Sequence, residues 1–527
     1  MSASSRQRLL LLLCALALAL VLRAPLVGAH SRYFSHEDDA HHFNRTVEMA
    51  QRFDLNPHYF NKPALHFYLR MPVVWASAAW ARARGELGGL SDIRTRDPYG
   101  LAGFAFSASH PTVLAWNRWL SVLMSLGIVA LTFALAIRLS LPNWAAFLAA
   151  ALVATSPEVL VNSDIIGVDI PMALFCLLSA LIGVGLVSGT RSHARLLLCG
   201  VVAGLAGATK YNAAPVALVP LVAALLSYRT AGAVVLAIVG PAIGYLLGAP
   251  YSLISFKEFW DGLSYEVWHY SVSGHEGHSA QPGIAQASFY LGWLATDGVG
   301  FVATVLSAVG LLAILRTRSP SRWVFLSFPL AYLALMLAQK ANFTRNMVAV
   351  VPFVAVLCAF GVWRVAQLFR PGPLKLLASS LLAIAAVSLP MLSSSAISLR
   401  EALQPESRDT LLAWIEQNGS DEEVAVAGSL QVSPLLWRKP GVAVFDSATA
   451  SLPALVQQGF TLVALPAVDA AAATIPFGID LAIPGNPVDK RHPHNPAITV
   501  LRVTKETLAA ARQAVPAQLA IAKRGSI

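Results

Sequence analysis

The chain has 527 residues, of which 56% are hydrophobic and only 13% are charged, with a net charge of +10. Soluble domains carry about 25% charged residues, so this composition excludes an ordinary soluble protein and predicts a chain that lies mostly in lipid. The positive charge does not indicate nucleic-acid binding, because many basic residues flank apolar segments, where they orient a membrane protein. The four cysteines lie inside apolar runs, and we interpret them as packed thiols.

Apolar segments long enough to cross a bilayer, which takes about 20 residues, recur along the chain. We predict eleven spans, at residues 9–29, 115–138, 143–163, 170–188, 195–211, 213–228, 231–250, 298–315, 323–338, 347–366 and 374–395. The sequence LVGAH at the end of the first segment leaves a signal-peptidase site open, but we interpret this segment as an uncleaved span.

Basic residues fix the predicted orientation. If the N-terminus is cytoplasmic, a consistent set of basic residues falls in the cytoplasmic connections: Arg138, Arg191, Arg195, Arg229, Arg316, Arg318, Arg322, Arg364, Arg370 and Lys375. This distribution follows the positive-inside rule. The loops 30–114 and 251–297 then lie outside, and so does the C-terminus, because the span count is odd.

Acidic residues cluster at the start of the first long loop, in EDDAHHF. Asp38 and Asp39 begin a segment with helical spacing, on which Phe43, Val47 and Ala50 are expected to face the membrane. Consecutive side chains on a helix point in different directions, so one aspartate can face a cleft while the other caps or pairs. An equally simple alternative is that both acids only favour the helix dipole.

A second acidic pair, Asp164 and Asp169, borders the membrane in NSDIIGVDIPMALF. Acids at a helix start are often dipole partners, yet charges at membrane depth are costly and mark functional sites. By the predicted topology, this loop lies on the same side of the membrane as Asp38.

Four basic residues run against the positive-inside pattern: Lys62 in NKPAL, Lys210 in ATKYN, and Lys340 and Arg345 in QKANFTRN. Each of them can snorkel to lipid headgroups. Together with the acids, however, they indicate a site that needs both a base and an anion clamp. Lysine and arginine suit a phosphate at the membrane surface.

Histidines are also concentrated in the predicted outer loops. EVWHYSVSGHEGHSAQPG carries His269, His275 and His278, and the first loop carries His41. His275 and His278 with Glu276 have a loose metal-ligand spacing. We favour substrate hydrogen bonding or loop packing, and predict no cofactor, with a divalent metal as the alternative.

The end of the chain changes character at about residue 396. RDTLLAWIEQN has helical spacing, whereas EEVAVAG, FTLVALP and AITVLRV are short β-rich runs between breaks. We therefore predict a transmembrane domain at 1–395, with outer loops 30–114 and 251–297, and a small extracytoplasmic α/β domain at 396–527. The second domain has no nucleophile elbow, phosphate loop or metal cluster, which indicates a packing or acceptor-binding role.

These motifs resemble the C-type glycosyltransferase superfamily, in particular its protein O-mannosyltransferase and aminoarabinose-transferase branch (glycosyltransferase family 39-like). The first outer loop of that family has an Asp-Glu pair, an aromatic-rich helix and a Lys-Pro-Pro-Leu element. EDDAHHF and NPHYFNKPALHFYL are similar, with Asp39 in place of the glutamate. NSDIIGVDIPMALF resembles the family's second acidic loop, and GLAGATKYNA, HYSVSGHEGHS and FTRNMVAVVPF resemble further segments. The resemblance covers about residues 1–370.

The resemblance implies a polytopic α-helical membrane protein of the C-type glycosyltransferase fold, with about 11 transmembrane helices and the α/β domain. Residues 1–395 would be catalytic and would move a sugar from a polyprenyl-phosphate donor to a hydroxyl of a lipid, glycan or protein acceptor, with inversion. We expect the enzyme in the bacterial inner membrane, with its active site and C-terminal domain extracytoplasmic. Its implied partners are the donor, the acceptor and membrane lipid, but no nucleic acid.

The resemblance also implies roles for individual residues. Asp38 is the predicted general base, Asp169 is predicted to orient the acceptor or to support Asp38, and Asp39 is the third predicted catalytic residue. Four cations are predicted to bind the donor phosphate and stabilise its departure: Lys62, Arg345, Lys340 and Lys210. Six residues are predicted to contact substrate: His41, Tyr59, Asp164, His269, His275 and His278.

Two other classes of protein fit part of the sequence. A secondary transporter also has many spans and intramembrane charges, but its site lies near the bilayer midplane between internal repeats, and the sequence shows no repeat. A non-catalytic scaffold explains the spans and the C-terminal domain, but not the paired acidic loops.

Overall fold

The structure is a computed structural model. It describes residues 3–29, 32–34, 36–97, 103–108, 110–189, 191–368, 373–418, 422–433, 439–446, 451–486 and 494–514. The chain divides into two compact units. The first unit comprises Met1–Val27, Phe53–Pro72 and Asn117–Ser398, and the second comprises Gly28–Arg52, Val73–Trp116 and Leu399–Ile527.

Long apolar helices dominate the first part of the chain. Within the described residues, seven helices are long and apolar enough to cross a membrane: Ser4–Gly28, Pro111–Arg138, Asp169–Ser188, Tyr211–Tyr228, Ala231–Gly248, Ser321–Ala338 and Val351–Leu368. An eighth span results if Ile284–Gly298 and Phe301–Leu315, which meet at a 118° bend, are counted together. The prediction of a polytopic helical membrane protein is confirmed, while the number eleven stays a prediction.

Further helices lie in the part of the chain that the structure describes, and most of them are shorter than the spans. They are Glu37–Arg52, Leu65–Ala83, Asn143–Thr155, Pro157–Val161, His193–Gly207, Tyr251–Ile254, Phe256–Trp268, Pro373–Ala402, Ser407–Asn418, Leu452–Gln457, Ala467–Ala471 and Lys505–Gln513. The predicted span 143–163 is interrupted, since its helix ends at Thr155 and Ser156 is extended. Pro157 explains this break, because proline disfavours the helical conformation of the residue before it.

Glycines allow two pairs of helices in the first unit to approach backbone to backbone. A Cβ on Gly244 would lie 2.0 Å from the carbonyl oxygen of Val201, between helices Ala231–Gly248 and His193–Gly207. A Cβ on Gly310 would lie 1.8 Å from the carbonyl oxygen of Leu357. Small residues at such crossings are how membrane helices pack, since lipid provides no hydrophobic force between them.

The C-terminal part of the second unit contains a five-stranded sheet, which confirms the predicted small α/β fold. Its strands are β1 Val424–Ala427, β2 Val442–Phe445, β3 Leu462–Pro466, β4 Gly478–Ile483 and β5 Ile498–Arg502. The order is β2-β1-β3-β5-β4, with β1 parallel to β2 and β3 and β5 antiparallel to its two neighbours. The runs EEVAVAG, FTLVALP and AITVLRV form β1, β3 and β5.

The second unit also contains helix Glu37–Arg52 from the first long loop. Phe43, Val47 and Ala50 are buried in protein, so the expectation that they face the membrane is wrong. Phe43 packs on Phe34, with ring centroids 5.3 Å apart. An apolar helical stripe has the same spacing whether it covers lipid or a protein core, which explains the error.

A buried cation also lies in the second unit. Arg408 is fully buried, its Nε donates to Glu406 at 2.6 Å, and its guanidinium lies 3.8 Å from the ring centroid of Tyr33. Its Nη2 donates to the carbonyl oxygen of His494 at 3.0 Å. Burial, followed by the positive charge of Arg408, lowers the pKa of His494 to about 4.

Candidate active site

Lys62 lies in the loop before helix Leu65–Ala83, and its backbone is held on both sides. The hydroxyl of Tyr211 donates to the carbonyl oxygen of Phe60 at 2.7 Å, and Nδ1 of His66 donates to that of Pro63 at 2.9 Å. Pro63 also restricts Lys62 to an extended backbone. The loop therefore presents the lysine side chain from a fixed position.

The ammonium of Lys62 forms an ion pair with Glu266 on helix Phe256–Trp268. Nζ of Lys62 and Oε2 of Glu266 are 2.5 Å apart, and their side chains are 16% and 13% exposed. Burial alone would lower the pKa of Lys62, but neighbouring Tyr270 and Glu266 raise it above its ordinary value. Lys62 therefore carries its charge at neutral pH.

A second lysine, Lys210, is held more deeply. Nζ of Lys210 lies 2.6 Å from Oδ1 of Asp169 and 2.6 Å from Oδ1 of Asn346. The lysine and aspartate side chains are only 5% and 9% exposed. Lys210 is extended between helix His193–Gly207 and a 3₁₀ segment, whereas Asp169 begins helix Asp169–Ser188. Asp169 is thus both a dipole partner of its helix and the counter-ion of Lys210.

The motifs QKANFTRN and HYSVSGHEGHS are brought together in the first unit. The backbone N–H of Lys340 donates to the carbonyl oxygen of Tyr270 at 2.7 Å, and Nζ of Lys340 donates to that of Val272 at 3.1 Å. The guanidinium of Arg345 lies 4.9 Å from the ring centroid of Phe343. The rings of Phe343 and Tyr270 are 6.0 Å apart, and Nζ of Lys62 lies 5.9 Å from the Tyr270 ring.

Lys62, Lys340 and Arg345 therefore gather around Tyr270 and Phe343, and we call these five residues the basic cluster. Three segments distant in sequence contribute to it. Lys62 and Arg345 lie near aromatic rings, where cations gain cation–π stabilisation. The cluster has the composition of a site for a phosphate group.

Two of the three histidines of the loop pack on Phe343, and the third packs on His275. The ring centroids of His275 and His278 lie 5.0 and 5.2 Å from that of Phe343, and His269 lies 5.5 Å from His275. Among the described residues, no group of three or more His, Cys, Asp or Glu side chains is arranged to hold a metal ion. These rings thus pack against the basic cluster through its member Phe343, and their contact with substrate stays a prediction.

The other predicted site residues have separate surroundings. Tyr59 is half-buried and lies near enough to Lys62 to contribute to the raised pKa of that lysine. Asp164 is buried in the segment before helix Asp169–Ser188. Asp38, Asp39 and His41 lie on helix Glu37–Arg52 of the second unit.

The two neighbouring aspartates on helix Glu37–Arg52 differ in burial. Asp39 is fully buried, while Asp38 is half-buried, and the backbone N–H of Asp38 donates to Nδ1 of His36 at 3.0 Å. His41 packs its ring against Phe104, with centroids 4.7 Å apart. Of the two acids, Asp38 has the more accessible side chain, and its role as a base stays a prediction.

Three polar residues of the first unit were missed by the sequence reasoning: Glu266, Asn346 and Glu158. Glu158 accepts hydrogen bonds from Nδ2 of Asn162 at 3.1 Å and Nε1 of Trp293 at 3.3 Å. It thereby ties the acidic loop to helix Ile284–Trp293. An acid inside an otherwise apolar segment was a signal for Glu158, whereas nothing in the sequence marks Glu266 as the partner of Lys62.

Comparisons with known proteins agree with this fold. The family model described as dolichyl-phosphate-mannose-protein mannosyltransferase matches residues 102–239. No curated protein sequence matches the chain.

Among solved structures, ArnT from Cupriavidus metallidurans in the apo state is similar, with a TM-score of 0.55 and 14% identity, over 97% of this chain and 99% of ArnT. The same ArnT bound to undecaprenyl phosphate has a TM-score of 0.53 and 14% identity, over 95% of this chain and 98% of that one. The Archaeoglobus fulgidus oligosaccharyltransferase in its apo form has a TM-score of 0.53 and 12% identity, over 87% of this chain and 69% of that one.

The shared fold and the family match confirm the predicted resemblance to C-type glycosyltransferases. The chain has the fold of these membrane proteins and apolar helices long enough to cross a membrane, and part of it matches the mannosyltransferase family model.

Proposed function

We propose that the protein moves a sugar from a polyprenyl-phosphate donor to an acceptor hydroxyl on the extracytoplasmic face of a bacterial inner membrane. The basic cluster carries this proposal, because three cations from two distant segments gather around Tyr270 and Phe343, a composition that suits a phosphate group. Two comparisons support the donor class. The matched family is described by dolichyl-phosphate-mannose, and ArnT was solved with undecaprenyl phosphate.

The proposed reaction is a single displacement. The acceptor oxygen attacks the anomeric carbon of the sugar, and Asp38 takes the proton of the acceptor hydroxyl as general base. The bond between the anomeric carbon and the phosphate oxygen breaks, and its electron pair leaves with the lipid phosphate. Attack from the opposite side inverts the anomeric centre.

The cations act on the leaving group. Lys62 binds the donor phosphate first and interacts more strongly as negative charge develops on the departing oxygen. Arg345 and Lys340 lie on the same cluster and are the supporting cations, while Lys210 is already engaged by Asp169 and Asn346. Asp169 and Asp39 support the base in this proposal, and His41, Tyr59, Asp164 and the three loop histidines contact substrate.

The proposal requires no resident cofactor, because positioned cations and one carboxylate suffice for the displacement. A divalent metal at His275 and His278 is the alternative, and added chelator distinguishes the two.

The test is turnover of defined donors by purified enzyme in detergent. Undecaprenyl-phosphate and dolichyl-phosphate sugars are supplied with candidate acceptors or water, and release of lipid phosphate is followed by mass spectrometry. We expect release with a lipid-phosphate sugar and none with nucleotide sugars. Turnover of nucleotide sugars alone, or release unaffected by Asp38→Asn and Lys62→Ala together, would contradict the proposal.

A further inference from the structure

The ion pair between Lys62 and Glu266 occupies the ammonium that the proposed function assigns to the donor phosphate. A carboxylate and a phosphate carry charge of the same sign. At one ammonium the two repel each other, so an arriving phosphate weakens the ion pair with Glu266. Glu266 therefore competes with the donor phosphate for Lys62.

A glycine allows helix Phe256–Trp268 to pack closely against the loop that carries Lys62. A Cβ on Gly262 would lie 2.7 Å from the carbonyl carbon of Phe60, so only glycine lets helix Phe256–Trp268 approach the loop this closely. Glu266 follows Gly262 by four residues and lies on the same helix face. The close crossing at Gly262 thus aims Glu266 at Lys62.

The ion pair between Lys62 and Glu266 also lies where Glu266 can be replaced by another anion. Both side chains keep some exposure, and none of the residues of helix Phe256–Trp268 is buried. Only a rotation of the Glu266 side chain is needed to free the ammonium. The loop that carries Lys62, by contrast, is anchored by Tyr211 and His66.

We propose that Glu266 is an exchangeable counter-ion of the donor site, which holds Lys62 charged and oriented in the empty enzyme and yields to a lipid-linked phosphate. This inference rests on the proposed function. When the sugar has left, the carboxylate competes with the product phosphate for Lys62 and promotes release of the lipid phosphate. Glu266 is a positioning residue that acts through Lys62, and it lowers the affinity of the site for phosphate.

The direction of one affinity change tests this inference. The dissociation constant of undecaprenyl phosphate is measured for full-length enzyme in detergent, with uncharged undecaprenol as the reference ligand. Glu266→Gln keeps the shape but removes the competing charge, so we expect about three- to tenfold tighter binding of undecaprenyl phosphate. Binding of undecaprenol should not change.

A matched variant controls for the change in net charge. Glu258 lies on the same helix and is exposed, so Glu258→Gln removes the same charge away from Lys62 and should leave the affinity within about twofold. The double variant Lys62→Ala/Glu266→Gln should bind no more tightly than Lys62→Ala alone, because Glu266 acts through the lysine.

The outcomes separate this inference from the proposed function. If Lys62→Ala weakens undecaprenyl phosphate binding and Glu266→Gln weakens it too or leaves it unchanged, the counter-ion exchange is wrong while the phosphate site stands. If Lys62→Ala has no effect on binding, the role of Lys62 in the proposed function fails. Tighter binding of both undecaprenyl phosphate and undecaprenol would also overturn the exchange, since the effect would not depend on charge.

Discussion

Two lysine–carboxylate pairs in the first unit have the same chemistry but different surroundings. Lys62 and Glu266 retain 16% and 13% exposure, and Lys210 and Asp169 retain only 5% and 9%. The buried pair has a third partner, Asn346, at 2.6 Å from the ammonium. A pair that water reaches can exchange partners at low cost, whereas opening a buried pair leaves charges without solvation.

This difference assigns separate tasks to the two lysines. The Lys210 pair holds three segments of the first unit together and leaves little capacity for a ligand. In the proposed function, the Lys62 pair keeps one cation available for the donor phosphate at the basic cluster. The sequence places both lysines in the same category of unexpected outer cations, and only their burial separates them.

The largest expected effect concerns the base, which belongs to neither pair. Asp38→Asn should lower turnover by about 10²–10⁴-fold, because the amide cannot accept the acceptor's proton. Undecaprenyl phosphate binding should remain, since the lysines are unchanged. Release of lipid phosphate and equilibrium binding are measured on the same preparation, and Asp39→Asn should cost less turnover. Near-normal turnover in folded Asp38→Asn enzyme would eliminate the assignment.

The second prediction concerns the buried ion pair between Lys210 and Asp169. Asp169→Ala should destabilise the protein by about 3–5 kcal/mol, because Lys210 is left buried without its counter-ion. The double change Asp169→Leu/Lys210→Met removes both charges and should cost less than Asp169→Ala. Thermal unfolding in detergent compares the variants. If the double variant is the less stable one, the pair is not governed by its desolvation.

The sequence predicts these regions unequally. The apolar runs give the helices because lipid demands long, uninterrupted apolar segments, and β1, β3 and β5 follow from compact β-rich runs. The strand β4 was missed because several of its residues are exposed, so its apolar pattern is weak. The break at Ser156 could have been predicted from Pro157.

The residues of the candidate site can likewise be predicted only in part from the sequence. Its cations and histidines stand out in the sequence, since charge in a hydrophobic chain is rare and costly. Their partners do not, because Glu266 is 204 residues from Lys62 and Asn346 is 136 residues from Lys210. Such pairings depend on how helices cross, as at Gly262, and sequence spacing contains no information on that crossing.

The second unit contains a third ion pair, Arg408 with Glu406. Because His494 lies next to it, the stability of this unit is expected to depend on pH. Because burial, followed by the charge of Arg408, lowers the pKa of His494 to about 4, the unfolded chain binds a proton there at a higher pH than the folded chain does. Stability of this unit should therefore fall as pH drops from about 6.5 to about 4, by about 2–3 kcal/mol. Hydrogen exchange of strand β5 at several pH values measures it. His494→Gln should flatten this slope, and an unchanged slope would exclude His494 as its source.

The smallest effect is expected at the accessible pair. Lys62→Ala should weaken undecaprenyl phosphate binding by about tenfold, which corresponds to about 1.4 kcal/mol, since one charge-assisted contact is lost. Lys62→Arg should retain part of the affinity, because it keeps the charge but changes the geometry of the donors. Thermal unfolding should change by less than about 1 kcal/mol in Lys62→Ala, because water can solvate the released Glu266. Lys210→Ala provides the contrast, with a stability loss several times larger and no comparable selectivity for undecaprenyl phosphate over undecaprenol. If Lys62→Ala instead destabilises the protein as much as Lys210→Ala does, the two pairs are alike in function and exposure does not distinguish them.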